Sequence, residues 1–201
     1  MSDAPAVGYA PGPAARIAFL DASVLYPATL RNLLMHLAVA GVFRARWTDK
    51  VQDEWTAALL RDRPDLDAAR LAHRRGLMDD YILDARVTDY EPLIDGLVLP
   101  DPDDRHALAG AIHGDATVIV TANLRDFPSE TLAPHGIEAQ HPDVFVRALI
   151  EDHAEAVVAA VADHRAALVR PPKSAEEYIA MLERHRMTET VAALRNFMDA
   201  L

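Results

Sequence analysis

The sequence predicts an α/β fold with a central parallel sheet, and three observations carry that prediction. A short apolar run, Ile17-Ala18-Phe19-Leu20, follows chain breakers and ends in an acid, Asp21, as a buried strand does. A second run, Ala116-Thr117-Val118-Ile119-Val120, is uninterrupted and rich in β-branched residues, the pattern of a strand covered on both faces. Segments of helical periodicity alternate with these runs, which implies crossover connections and hence parallel strands.

The elements follow in order. After a turn at Tyr26-Pro27, the residues Leu30, Leu33, Leu34, Leu37 and Ala38 repeat at helical spacing up to Gly41, a C-terminal stop. Val42 to Trp47 reads as a short second strand, and Thr48 as the N-cap of a helix carrying Val51, Trp55, Ala58 and Leu59. Asp65 to Tyr81 is a third helical stretch, whereas residues 84–100 are irregular and hold two prolines. Asp103-Asp104 opens a helix over His106 to His113, with acids where the helix dipole favours them. Ile137-Glu138-Ala139 is a weak further strand, followed by a helix from Pro142 to about Asp152. Beyond that point strand signals stop. Residues 153–169 read as one helix ended before Pro171-Pro172, the residues Ser174 to Glu177 as a capping box, and Thr188 as the start of a last helix. The expected division is a leader at 1–15, disordered on its Ala/Pro/Gly composition, an α/β domain at 16–152, and a helical extension at 153–201.

Composition narrows the chemistry. Of 201 residues, 51% are hydrophobic and 25% charged, the mix of a core-forming globular chain rather than a disordered one. No apolar run approaches the ~18 residues of a membrane helix, and no basic start precedes an apolar block as in a secretory signal, so a cytoplasmic location is expected. Cysteine is absent, which excludes disulfides and thiolate metal sites and leaves oxygen or imidazole ligands. The formal charge of −11 excludes a general nucleic-acid coating protein held by counterion release. Only Lys50 and Lys173 are lysines, so the remaining basic residues are arginines, suited to phosphate or carboxylate partners. No glycine-rich phosphate loop is present, and no close histidine pair supports a zinc site.

Four acids share a structural context. Asp21 falls at the carboxyl end of the first strand, Asp104 at a helix start, Asp126 just past the strand 116–120, and Glu54 in the first half of the helix after Thr48. Carboxyl ends of parallel strands and the adjoining helix starts line one crevice, so acids distant in sequence converge there. Gathered carboxylates raise one another's pKa unless a cation offsets them, and Mg²⁺ or Mn²⁺ suits an all-oxygen set. Taken singly, each acid is better explained as a cap, a turn residue or solvated surface. His106, about 200° round the helix from Asp104, reads as a surface or packing side chain.

The segments IAFLDASVLYP, WTDKVQDEW, LPDPDDRHALAGAI and VIVTANLRDFP together resemble the PIN-domain nucleases, notably the VapC-like ribonuclease toxins of bacterial toxin–antitoxin pairs, over roughly residues 16–147. The resemblance implies a three-layer α/β/α domain and a Mg²⁺- or Mn²⁺-dependent endoribonuclease whose acids are Asp21, Glu54, Asp104 and Asp126. It further implies Thr121, Asn123 and Ser23 as supporting or alternative ligands, with Asp101 and Asp103 as register alternatives to Asp104. Many family members carry an acid where this chain has Asn123, which leaves Asn123, Asp126 or both as the fourth ligand. An RNA substrate, an antitoxin and a homodimer are the implied partners. Arg44, Arg46, Arg105 and Arg125, or Arg70, Arg74 and Arg75, are the candidate contacts to RNA or antitoxin. Two other readings stay open: a PIN-like partner-binding module, and a phosphotransferase of the haloacid-dehalogenase type. The latter lacks the expected second acid, since Ser23 stands two residues after Asp21.

Overall fold

The computed structural model describes residues 16–201; the expected leader lies outside the described residues. Four strands form one sheet in the order β2-β1-β3-β4: β1 (Ile17–Leu20), β2 (Arg44–Arg46), β3 (Val118–Val120) and β4 (Glu138–Gln140). Every pairing is parallel, with Phe19 opposite Arg46 on one side and Ile119 on the other. The chain moves from β1 to one neighbour, then crosses to the other side of β1, so the β1/β3 boundary is the topological switch point of the sheet. At such a boundary the crevice outside the carboxyl ends is open to a ligand.

Helices flank the sheet to give an α/β/α architecture with a helical C-terminal extension. The first are α1 (Ala22–Leu25), α2 (Ala28–Val39), α3 (Asp49–Asp62) and α4 (Ala68–Tyr81). Local signals end them as the sequence predicts. Thr48 accepts from the Val51 amide to cap α3, and Gly41, at φ +72°, takes the left-handed conformation just past α2. The third helical stretch begins later than expected, at Ala68, because Asp67 accepts from the Ala69 amide and sets the start. Residues 84–100 hold a single 3₁₀ segment, Glu91–Gly96.

A 3₁₀ turn, Pro102–Asp104, leads into α5 (Arg105–His113), which packs on β1 and β3. That contact is close: a Cβ on Gly110 would lie 2.7 Å from the Phe19 ring. The short α6 (Ser129–Leu132) follows β3. β4, expected as a weak strand, is the least buried of the four and closes one sheet edge.

Residues expected as two helices meeting near Asp152 form one segment, α7 (Pro142–Ala167), bent at His153 (φ −143°, ψ 46°). Neither proline nor glycine stands there, so the chain bends and resumes its helix without a loop. α8 (Ala175–Arg184) carries the expected capping box, Ser174 with Glu177. α9 (Thr188–Leu194) begins where expected, but its amino end is held by a distant residue: the buried Asp143 carboxylate accepts from the Glu189 and Thr190 amides at 2.9 and 2.7 Å. Met198 falls beyond it in a 3₁₀ segment, Arg195–Ala200. Phe145 on α7 meets Phe43 edge to face, and α9 packs along α7, joining the extension to the core.

Candidate metal centre

The site is built from the two strands at the switch point. β1 ends at Leu20, and the Asp21 amide still bonds to the Val120 carbonyl at 3.1 Å, so Asp21 leaves the sheet in a fixed direction. It becomes the N-cap of α1 and is buried, 7% exposed. Its Oδ2 accepts from Ser23 Oγ at 2.6 Å and from Thr121 Oγ1 at 2.8 Å. Ser23 Oγ in turn accepts from the Ala122 amide at 3.0 Å, and Thr121 Oγ1 from the Asn123 amide at 2.9 Å. Ser23 and Thr121 thus tie the ends of β1 and β3 together through one carboxylate oxygen. Among the described residues no hydrogen bond reaches the other oxygen, Oδ1.

A second cluster adjoins it. Carboxylate oxygens of Asp101, Asp104 and Asp126 lie within 4.8 Å of one another. Each has a local reason for its place. Asp101 caps the 3₁₀ turn by accepting from the Asp103 amide at 2.9 Å; Asp104 ends that turn at the start of α5; Asp126 closes the 3₁₀ turn Leu124–Asp126 and accepts from the Asn123 side-chain amide. Burial, together with the charges of Asp21, Asp101 and Asp126, pushes the Asp104 carboxyl up from 3.8 to about 6, against a smaller opposing effect of His106. A carboxyl so raised marks a pocket with more negative charge than it holds comfortably. The donor set is all oxygen and all hard, which fits Mg²⁺ or Mn²⁺ and not a soft ion.

The remaining expected residues divide. Glu54 stands outside the three-carboxylate cluster, with Oε1 2.8 Å from His106 Nε2 and 3.5 Å from Lys50 Nζ. His106 is buried at 7% exposure, a packing residue with a polar partner rather than a surface side chain. Asp103 is exposed and contributes only its amide. Arg105 is half-buried beside Asp104, and Arg125 is exposed between Asn123 and Asp126. Arg44 pairs with Ile17 at the amino-terminal end of the sheet, away from the acids. Arg46 is half-buried, and burial and the Arg44 charge lower its pKa while Asp84 and Asp115 oppose them. Arg75 is bound to Asp53 at 2.5 Å, while Arg70 and Arg74 are exposed on α4. Sequence reasoning had no signal for the Glu54–His106 contact, which depends on how α3 and α5 pack.

A parallel α/β/α sheet with acids gathered at its switch point is consistent with a PIN-like fold, and two stretches of the chain are similar to VapC proteins. Residues 142–196 match the family model described as VapC50 C-terminal domain. The chain is also 42% identical over 69 residues to a Mycobacterium tuberculosis (strain ATCC 25618 / H37Rv) protein named "Putative ribonuclease VapC50". That match covers 34% of this chain and 41% of the relative, so it spans about two fifths of the relative's length. No solved structure matches the chain. Among the described residues, no helix is long and apolar enough to cross a membrane.

Proposed function

We propose that the protein is a Mg²⁺- or Mn²⁺-dependent endoribonuclease acting as the toxin of a type II toxin–antitoxin module. The observation that carries this reading is the cluster of Asp101, Asp104 and Asp126 carboxylates beside Asp21, in which Asp104 is pushed up to about 6. The name of the M. tuberculosis relative supports the ribonuclease assignment, and the matched C-terminal model supports the VapC branch. Asp101, Asp104 and Asp126 would hold the ion, with Asp21 completing the set through the oxygen that Ser23 and Thr121 leave free. When bound, the ion supplies Lewis acidity toward water and the scissile phosphodiester.

The chain's own residues do the rest. Ser23 and Thr121 fix the Asp21 carboxylate by donating to Oδ2. Asn123 donates to Asp126 and sets that carboxylate's rotation. His106 and Lys50 flank Glu54, which we assign to the edge of the same acidic crevice. No side-chain nucleophile is required. Arg105 and Arg125, each next in sequence to an acid of the cluster, are assigned to RNA phosphates or to acids of the antitoxin. We assign the nuclease domain to 16–152 and the extension to 153–201, a division supported by the bend at His153. A homodimer and a cytoplasmic location complete the reading.

The test is cleavage of single-stranded RNA by the purified chain with Mn²⁺, Mg²⁺ or EDTA. Metal-dependent cleavage lost in Asp104→Asn and Asp21→Asn is the expected result. Cleavage that survives EDTA, or that both variants retain, removes the assignment.

A further inference from the structure

Arg31 is the most deeply buried arginine of the described residues, 3% exposed, and no carboxylate lies within ion-pair distance of it. Burying a charge without a counter-ion is costly, so its neighbours carry the explanation. From α2, Arg31 Nη1 donates to the Leu25 carbonyl at 2.6 Å and reaches the Tyr26 carbonyl at 3.4 Å. The guanidinium carbon lies 4.4 Å from the ring centroid of Trp55, which is fully buried and follows Glu54 on α3.

Those two carbonyls end α1. This helix is a single turn whose other end is Asp21, its N-cap. One helical turn is not stable alone, and its last carbonyls have no partners within it. Tertiary contacts must therefore hold it: Val24 and Leu25 buried in the core, Tyr26 Oη donating to Asp62 at 2.8 Å, and Arg31 on the terminal carbonyls. Trp55, held in turn by its indole N–H on Gln52 Oε1 at 2.6 Å, gives the guanidinium a flat face on α3.

We propose that Arg31 is a positioning residue of the metal centre, which clamps the end of α1 to the Trp55 face of α3 and so fixes Asp21 relative to Glu54. This rests on the metal-centre reading above. An apolar side chain of similar volume would fill the same space, but it would leave the Leu25 carbonyl unpaired and let α1 shift on α3. Burial that lowers the guanidinium pKa to about 10 leaves it charged at neutral pH, as the clamp requires.

The test compares full-length wild type with Arg31→Met and Arg31→Lys by Mn²⁺ calorimetry, circular dichroism, and kcat and KM on RNA. Arg31→Met is expected to bind Mn²⁺ ~10-fold more weakly and to lose kcat with KM little changed. Arg31→Lys is expected to fall between, because an ammonium reaches the carbonyls but does not lie flat on Trp55. Should Arg31→Met not fold, Arg31→Lys decides alone: weakened Mn²⁺ binding supports the clamp. Wild-type Mn²⁺ affinity in the folded variants overturns this inference alone, however much their melting temperature falls. A wild type with no saturable Mn²⁺ site overturns the metal-centre reading and the clamp together.

Discussion

Thr121 Oγ1 donates to Asp21 Oδ2 at 2.8 Å, joining residues 100 apart in sequence across the carboxyl ends of the two central strands. The Thr121 hydroxyl is wholly buried, so this bond is protected from competition by water. Thr121→Val keeps the shape and removes the donor. The variant is expected to stay folded while its Mn²⁺ affinity falls ~10-fold, as for other residues that orient ligands. Calorimetry checks it, and an unchanged affinity would show that Ser23 alone orients Asp21.

Asp104 gives the site a pH signature. Its folded pKa, about 6, exceeds the ordinary 3.8, so its neutral form is the one folding favours. The stability it contributes is full below the ordinary value and is lost as pH rises through about 6. Without metal, Asp104→Asn is therefore expected to melt higher than wild type at about pH 7.5 and to converge with it near pH 4. Mn²⁺ should raise the melting temperature of wild type at the higher pH and leave Asp104→Asn unmoved. Parallel melting curves at both pH values would contradict the raised pKa.

Gly110 tests the close approach of α5 to the sheet. A Cβ there meets Phe19 Cε2 at 2.7 Å and Thr48 Cγ2 at 2.8 Å, neither of which moves freely in the core. Gly110→Ala is expected to cost about 1–3 kcal/mol through overpacking. Urea unfolding should show a lower midpoint at unchanged slope; an unchanged midpoint would mean the helix can retreat from the sheet.

Asp143 tests the attachment of the C-terminal helices. It accepts from Thr188 Oγ1 at 3.2 Å as well as from the Glu189 and Thr190 amides, and Thr190 Oγ1 returns a bond to its carbonyl at 3.0 Å. Asp143→Ala leaves the buried Thr190 amide and the part-buried Glu189 amide without this partner, at about 1–3 kcal/mol. Hydrogen exchange should quicken first in α9, ahead of the sheet. Uniform quickening would show that the extension is not a separable unit of stability.

Much of this was legible because it is local. The strands β1 and β3, the Thr48 cap, the stop at Gly41 and the Ser174 capping box are all written within a few neighbouring residues. What the sequence hid depends on packing. Asp101 joins Asp104 and Asp126 while its Oδ1 accepts from the Asp103 amide, a detail that spacing alone does not rank above the Asp103 alternative. His106 meets Glu54, which lies on α3 far earlier in the chain and could not be paired with it by periodicity. α9 is capped from Asp143, and the bend at His153 follows no breaker residue. No spacing or motif singles out Arg31, because its burial against Trp55 depends on how α2 and α3 pack.

The metal centre requires that the acids fold into one ion-binding pocket. Its most direct test is a Mn²⁺ titration of the metal-free protein followed by electron paramagnetic resonance, with Asp104→Asn beside wild type. Wild type is expected to show a saturable population of bound Mn²⁺ that is absent from the variant. Equal binding in the two proteins, or none in wild type, would contradict it.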